Sequence, residues 1–106
     1  MSEQRTIEIL KKLISFPSVS KNPNIDLIHY ISDMISNKNC TPKIIKNHDG
    51  SKANLFAAIG PKDISGVMLS GHTDVVPIEG QEWTKPPFDC VYENGLSAYW
   101  LYSWTC

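Results

Sequence analysis

Near residue 40 the spacing of apolar side chains changes, and this constrains the fold more than any other feature of the 106-residue chain. Before it, apolar residues recur every three or four positions, as on one face of a helix; after it they come in short runs bounded by turn residues. Residues 6–16 put Ile7, Leu10, Leu13 and Ile14 on one side and Glu8, Lys11 and Lys12 on the other, which predicts a helix. Ser2 or Thr6 is its expected cap and Pro17 its stop, because a residue before proline is pushed out of the α region. A second helix is predicted over 24–36, with Ile25, Ile28, Ile31 (or Leu27) and Ile35 as its apolar stripe. Asn37-Lys38-Asn39 should end it, and Asp26 near its start and Lys38 at its end suit the helix dipole. Strands are predicted at 41–46, 53–59 and 66–70, with turn clusters at 48–51 and 60–63 between them. The last two are nearly all apolar, as expected for strands buried on both faces of an α/β sheet. From residue 75 onward, with Pro77, Gly80, Trp83, Pro86 and Pro87 and no periodic segment, the chain reads as loop.

Bulk properties narrow the class. A chain of this length suits one small domain and buries only about 60–65% of the surface exposed by its unfolded form. Its apolar share, 42%, and charged share, 20%, are ordinary for a globular protein. A net charge of -1, with ten scattered Lys and Arg, creates no field favouring nucleic acid or an anionic membrane. No apolar run approaches the roughly 18–20 residues needed to cross a bilayer, and the polar start Met1-Ser2-Glu3-Gln4-Arg5 is no secretory signal. Cys40, Cys90 and Cys106 form no close pair, which argues against a disulfide framework and points to a reducing cytoplasm.

The chemistry is concentrated where the apolar run Val67-Met68-Leu69-Ser70 leads into Gly71-His72-Thr73-Asp74. Ligands in open α/β sheets bind beyond the carboxyl ends of strands. Neutral imidazole is a good zinc ligand, and residues two apart in an extended segment point to the same side. His72 and Asp74 are therefore expected to face one cavity, the carboxylate fixing the imidazole's tautomer. By spacing alone a His-x-Asp string has little specificity, and it falls short of the three or four ligands zinc requires.

The surrounding string adds specificity. Leu69-Ser70-Gly71-His72-Thr73-Asp74-Val75-Val76-Pro77, followed by Gly80, Trp83-Thr84, Pro87-Phe88 and Asn94-Gly95, resembles the metallopeptidase M20 family of acetylornithine deacetylases, succinyl-diaminopimelate desuccinylases and aminoacylases. The segment from Ile9 to Ser20, closing on Pro17-Ser18-Val19-Ser20, is similar to the family's first helix and the loop after it. The stretch from Lys52 to Pro61 looks most like the acetylornithine deacetylase branch. The resemblance implies an α/β fold: the N-terminal part of a zinc-peptidase-like catalytic domain, two helices followed by strands of a central mixed sheet, incomplete here. It implies that His72 ligates one of two Zn²⁺ (or Co²⁺) ions and that Asp74 is the supporting carboxylate of the catalytic site. The intact enzyme's partner would be a small acylated amino acid such as N2-acetylornithine, on the route to arginine; desuccinylase and dipeptidase activities are the alternatives within the family.

The likeness stops after about residue 96. The family continues as Tyr-Gly-Arg-Gly and then Asp-Met-Lys-Gly, whose Asp bridges the metals; here Ser97 to Cys106 is a different, Trp- and Tyr-rich tail. The Glu pair carrying the general base, a later acidic ligand and a C-terminal His are also without counterparts. Residues 1–96 are thus expected to be a partial catalytic domain and 97–106 an aberrant tail. A frameshift is our hypothesis: Trp104-Thr105-Cys106 is encoded TGG-ACN-TGY, which in a displaced frame reads GAC-NTG, an Asp codon followed by a Met codon when N is A. Sequencing of the locus checks this, and a downstream region with no homologous frame would dismiss it. The 106 residues alone are expected to bind metal weakly and catalyse little. Other possibilities are a non-catalytic remnant, an interaction module pairing with a separately encoded C-terminal half, and a small α/β domain with a chance motif.

The remaining conspicuous side chains have plainer readings. His29 is expected to be a partly exposed helix residue and His48 a solvated loop residue. Cys90 has no visible setting that would lower its thiol pKa. Trp83 and Phe88 are expected to pack over the sheet edge, and the aromatic tail is an aggregation liability.

Overall fold

The computed structural model describes residues 3–80, 82, 86–89, 91–93 and 96–98. The elements are α1 (Glu3–Ser15), α2 (Ile25–Ile35), β1 (Lys43–Lys46), β2 (Ala53–Phe56), β3 (Val91–Glu93) and β4 (Leu96–Ala98). They divide between two compact units, one of Met1–Asn22 with Asp74–Cys106, the other of Pro23–Thr73.

In the first unit, α1 buries Ile14 and half-buries Ile7, Leu10 and Leu13, the expected stripe, while Glu8, Lys11 and Lys12 are exposed. Thr6 lies inside the helix and is not its cap; Ser2, the other expected cap, is outside the described residues. Glu3 in the first turn and Lys12 in the last both complement the dipole. The helix stops at Ser15, just ahead of Pro17, and the Ser15 hydroxyl donates to the Lys12 carbonyl at 2.6 Å, satisfying one of the last open acceptors. The Lys12 ammonium lies 5.3 Å from the centre of the Phe16 ring.

The same unit corrects the expectation of loop from residue 75 onward. β3 and β4 form an antiparallel pair in the register Val91↔Ala98, Tyr92↔Ser97 and Glu93↔Leu96. Three-residue strands are too short to show a period. The available signal was Asn94-Gly95 between them in sequence, the dipeptide favoured in two-residue hairpin links.

In the second unit, α2 and the hairpin β1–β2 cover one another. The register is Lys43↔Phe56, Ile44↔Leu55, Ile45↔Asn54 and Lys46↔Ala53. Ala53 is buried and Leu55 and Ile44 are half-buried, while Ile45, Asn54 and Phe56 are exposed, so one face of the hairpin is covered, and α2 packs against both strands. Leu27 and Ile28 are the buried residues of the helix, at 1% and 3% exposure. Each contributes about 1.5–3 kcal/mol of transfer free energy. Asp26 stands in the first turn as expected, but α2 has no basic residue in its last turn, because Ser36 is already extended (ψ 129°) and Lys38 lies beyond it. The helix ends because Ser36 leaves helical conformation; Asn37 and Cys40 then exchange backbone hydrogen bonds of 3.0 and 3.1 Å across a tight turn.

Asn24 joins the helix to the hairpin. It occupies the N-cap position without a side-chain cap bond. Its amide instead reads the backbone of Ala53, donating from Nδ2 to the carbonyl at 3.1 Å and accepting at Oδ1 from the N–H at 2.8 Å. The side chain thus supplies the strand edge with the two bonds a further strand would make, together about 1–3 kcal/mol. The hairpin turn is held by Asn47, whose N–H donates to the Lys52 carbonyl at 2.9 Å, and by Gly50 at φ 75°, a conformation L side chains rarely adopt. The Ser51 hydroxyl and then its backbone N–H donate to Asp49, 2.6 and 2.9 Å away, holding that carboxyl below its ordinary range.

Two expectations fail here. Residues 66–70 form no strand, and Val67, Met68 and Leu69 are 90%, 76% and 92% exposed. β2 ends at Phe56 and is covered on one face only, with Ile59 80% exposed. An apolar run becomes a strand only when neighbouring backbone pairs with it. Here β1 and β2 satisfy each other, and no ladder among the described residues reaches 66–70. Accordingly the described strands make two antiparallel pairs, not a mixed sheet. No helix among the described residues is long and apolar enough to cross a membrane.

Candidate functional site

The segment Asp74–Val75 is built into the first unit by the loop that follows α1. Pro17 locks its own φ and forces Phe16 out of the helix, so the chain leaves α1 before Val19 and turns at residues 20–21. Backbone outside a helix exposes its N–H and C=O groups, and Val75 takes those on either side of Val19. Val75 N–H donates to the Ser18 carbonyl at 3.0 Å, and Ser20 N–H donates to the Val75 carbonyl at 3.0 Å. This is a parallel bridge between Val19 and Val75. Both valines are buried, at 5% and 2% exposure, with Ile78 and Phe88 packed against them. Phe88 thus covers a valine pair. Ser18 is also buried, its carbonyl used by the bridge.

On this base the Ser20 hydroxyl lies 2.9 Å from Oδ2 of Asp74 and 3.1 Å from the Val75 carbonyl oxygen. Asn22 closes the loop, its N–H donating to the Val19 carbonyl at 2.7 Å and its amide to the Pro17 carbonyl at 3.4 Å. Farther along both segments Lys21 and Glu79 form an exposed ion pair at 3.2 Å. The Glu79 carboxyl sits below its ordinary range, first through a backbone N–H of its own residue and then through Lys21.

His72 is exposed and falls in the second unit, whereas Asp74, also exposed, falls in the first. An imidazole and a carboxylate are the right donor types for Zn²⁺ or Co²⁺, but a zinc site takes three or four ligands. Among the described residues no three of His, Cys, Asp and Glu are grouped so as to hold a metal. Each of the two side chains matches zinc in donor type only. His29 and His48 are exposed, as expected, and Cys40 is a buried free thiol. Cys90, Trp83 and the aromatic residues of the tail lie outside the described residues.

Comparison with known proteins decides what this arrangement is related to. The acetylornithine deacetylase of Buchnera aphidicola subsp. Acyrthosiphon pisum is 33% identical over 102 residues, taking in 87% of this chain and 26% of the relative. The probable succinyl-diaminopimelate desuccinylase of Staphylococcus epidermidis is 33% identical over 96 residues, 90% of this chain and 23% of the relative. The chain is homologous to these M20 enzymes. It spans about a quarter of the length of the curated relatives it matches. No protein-family model matches it, and no solved structure does. The M20 resemblance carried by the string from Leu69 to Pro77 therefore extends over most of the sequence, including the loop that holds Asp74. Ser20 was not singled out as a functional residue in the sequence, because its partner is 54 positions away and a lone serine has no local signature.

Proposed function

We propose that residues 1–96 are a partial M20 catalytic domain, and that the chain contributes His72 as a metal ligand and Asp74 as its supporting carboxylate to a two-zinc hydrolase of N-acylated amino acids. The identity of 33% over nearly the whole chain to an acetylornithine deacetylase carries this reading. N2-acetylornithine is the substrate proposed first, which would put the intact enzyme in arginine biosynthesis in the cytoplasm. A desuccinylase acting on N-succinyl-diaminopimelate has equal support, since that relative is also 33% identical. When bound, the metal ions would polarise the amide carbonyl and lower the pKa of the attacking water. The imidazole of His72 would hold one ion, and the Asp74 carboxylate would keep that imidazole in its ligating tautomer. A separately encoded C-terminal half is the proposed partner that would supply the remaining ligands and the general base.

The test is metal affinity of the 106-residue chain, titrated calorimetrically with Zn²⁺ and with Co²⁺. Weak binding is expected, and His72→Ala should weaken it by at least about tenfold. Equal affinity of the two proteins would reduce Gly71-His72-Thr73-Asp74 to a chance motif.

A further inference from the structure

We propose that Ser20 is a positioning residue whose hydroxyl orients the carboxylate of Asp74. This deepens the proposed function, resting on it for the task of the carboxylate but not for the contact. An exposed aspartate on extended backbone ordinarily samples several χ1 rotamers, and a ligand-supporting carboxylate held loosely loses much of its value. Three features remove that freedom here. The Ser20 hydroxyl is 2.9 Å from Oδ2 of Asp74, the distance of an O–H donor to a carboxylate. The backbone beneath it is pinned on both sides of Val19, by Ser20 N–H to the Val75 carbonyl and by Val75 N–H to the Ser18 carbonyl, each 3.0 Å. The two valines bearing that bridge are buried, so the donor and the acceptor are anchored in one small core.

The hydroxyl has one proton, and both the carboxylate at 2.9 Å and the Val75 carbonyl at 3.1 Å are within its reach. The charged acceptor is both nearer and stronger. The Val75 carbonyl already accepts the Ser20 N–H, so it needs the hydroxyl less. The loop after α1 thus does more than connect: its parallel bridge brings a donor from residue 20 to the carboxylate of residue 74.

The experiment compares the wild-type chain with Ser20→Ala, Ser20→Thr, Asp74→Asn and the double variant Ser20→Ala/Asp74→Asn. Metal-free, the three-bond Hα–Hβ couplings of Asp74 report its χ1. We expect a single rotamer in wild type and Ser20→Thr, which keeps the hydroxyl, and averaged couplings in Ser20→Ala. Averaged couplings in the wild type, or a single rotamer in Ser20→Ala, overturn the proposal whatever the metal does. In Zn²⁺ titrations Ser20→Ala should bind about tenfold more weakly, at the low end for residues that orient ligands. Ser20→Thr should restore affinity, and Ser20→Ala should add no further loss to Asp74→Asn. Wild-type affinity in Ser20→Ala with a loss in Asp74→Asn also overturns the positioning role while leaving the site reading intact. Unchanged affinity in both Asp74→Asn and His72→Ala removes the site reading, and the couplings then decide the Ser20–Asp74 contact alone.

Discussion

Purified and supplied with Zn²⁺ or Co²⁺, the 106-residue chain is expected to release no acetate from N2-acetylornithine, and no succinate from N-succinyl-diaminopimelate, above the uncatalysed rate. Hydrolysis by the M20 route resembled here takes two ions at fixed separation and a glutamate to receive the water's proton. A histidine and one supporting carboxylate do neither. Enzymes accelerate such reactions by about 10⁶-fold or more, so the gap between this expectation and an ordinary turnover of about 1–10³ s⁻¹ is easily read. Turnover in that range by the chain alone would refute the division of labour proposed above. Mixing the chain with a polypeptide carrying the remaining three-quarters of an M20 enzyme gives the complementary arm. Activity that appears only in the mixture, and disappears with His72→Ala, supports a two-part enzyme; no activity in the mixture favours a non-catalytic remnant.

Leu27→Ala is expected to cost about 2–5 kcal/mol of stability, whereas Leu69→Ala should stay within about 0.5 kcal/mol of wild type. Leu27 is 1% exposed on the face of α2 that meets the hairpin, and Leu69 is 92% exposed. Against a total stability of about 5–15 kcal/mol for ordinary domains, with small chains at the lower end, the first substitution leaves the second unit largely unfolded at 25 °C or close to it. Urea titration followed by circular dichroism at 222 nm separates the two, the midpoint falling steeply for Leu27→Ala. An equal fall for Leu69→Ala would mean that residues 66–70 are buried in solution, by self-association or by pairing with the rest of the chain. Repeating that titration at several protein concentrations distinguishes these.

The pair of leucines also shows what could be read without coordinates. Leu27 and Leu69 are chemically the same residue, and the run Val67-Met68-Leu69 looks even more core-like than α2 does. The helix stripe was nevertheless the better guide. A helix satisfies its backbone within itself, so its apolar period alone says which face turns inward. A strand does not, and its apolar run says only that it suits burial if partners arrive.

The same distinction applies to the site. Helices at Glu3–Ser15 and Ile25–Ile35, the break ahead of Pro17, the hairpin strands and the M20 relationship through Gly71-His72-Thr73-Asp74 were all determined by sequence, because each depends on neighbours within a few positions or on a string of residues read together. The exposure of 66–70, the grip of Asn24 on Ala53 and the hydroxyl of Ser20 beside Asp74 were decided only by the tertiary structure. Each depends on which backbone and side-chain groups from elsewhere in the chain arrive as partners. Hydrogen bonds of 3 Å reach are indifferent to separation along the chain, so a contact across 54 positions leaves no periodic trace in the sequence that makes it.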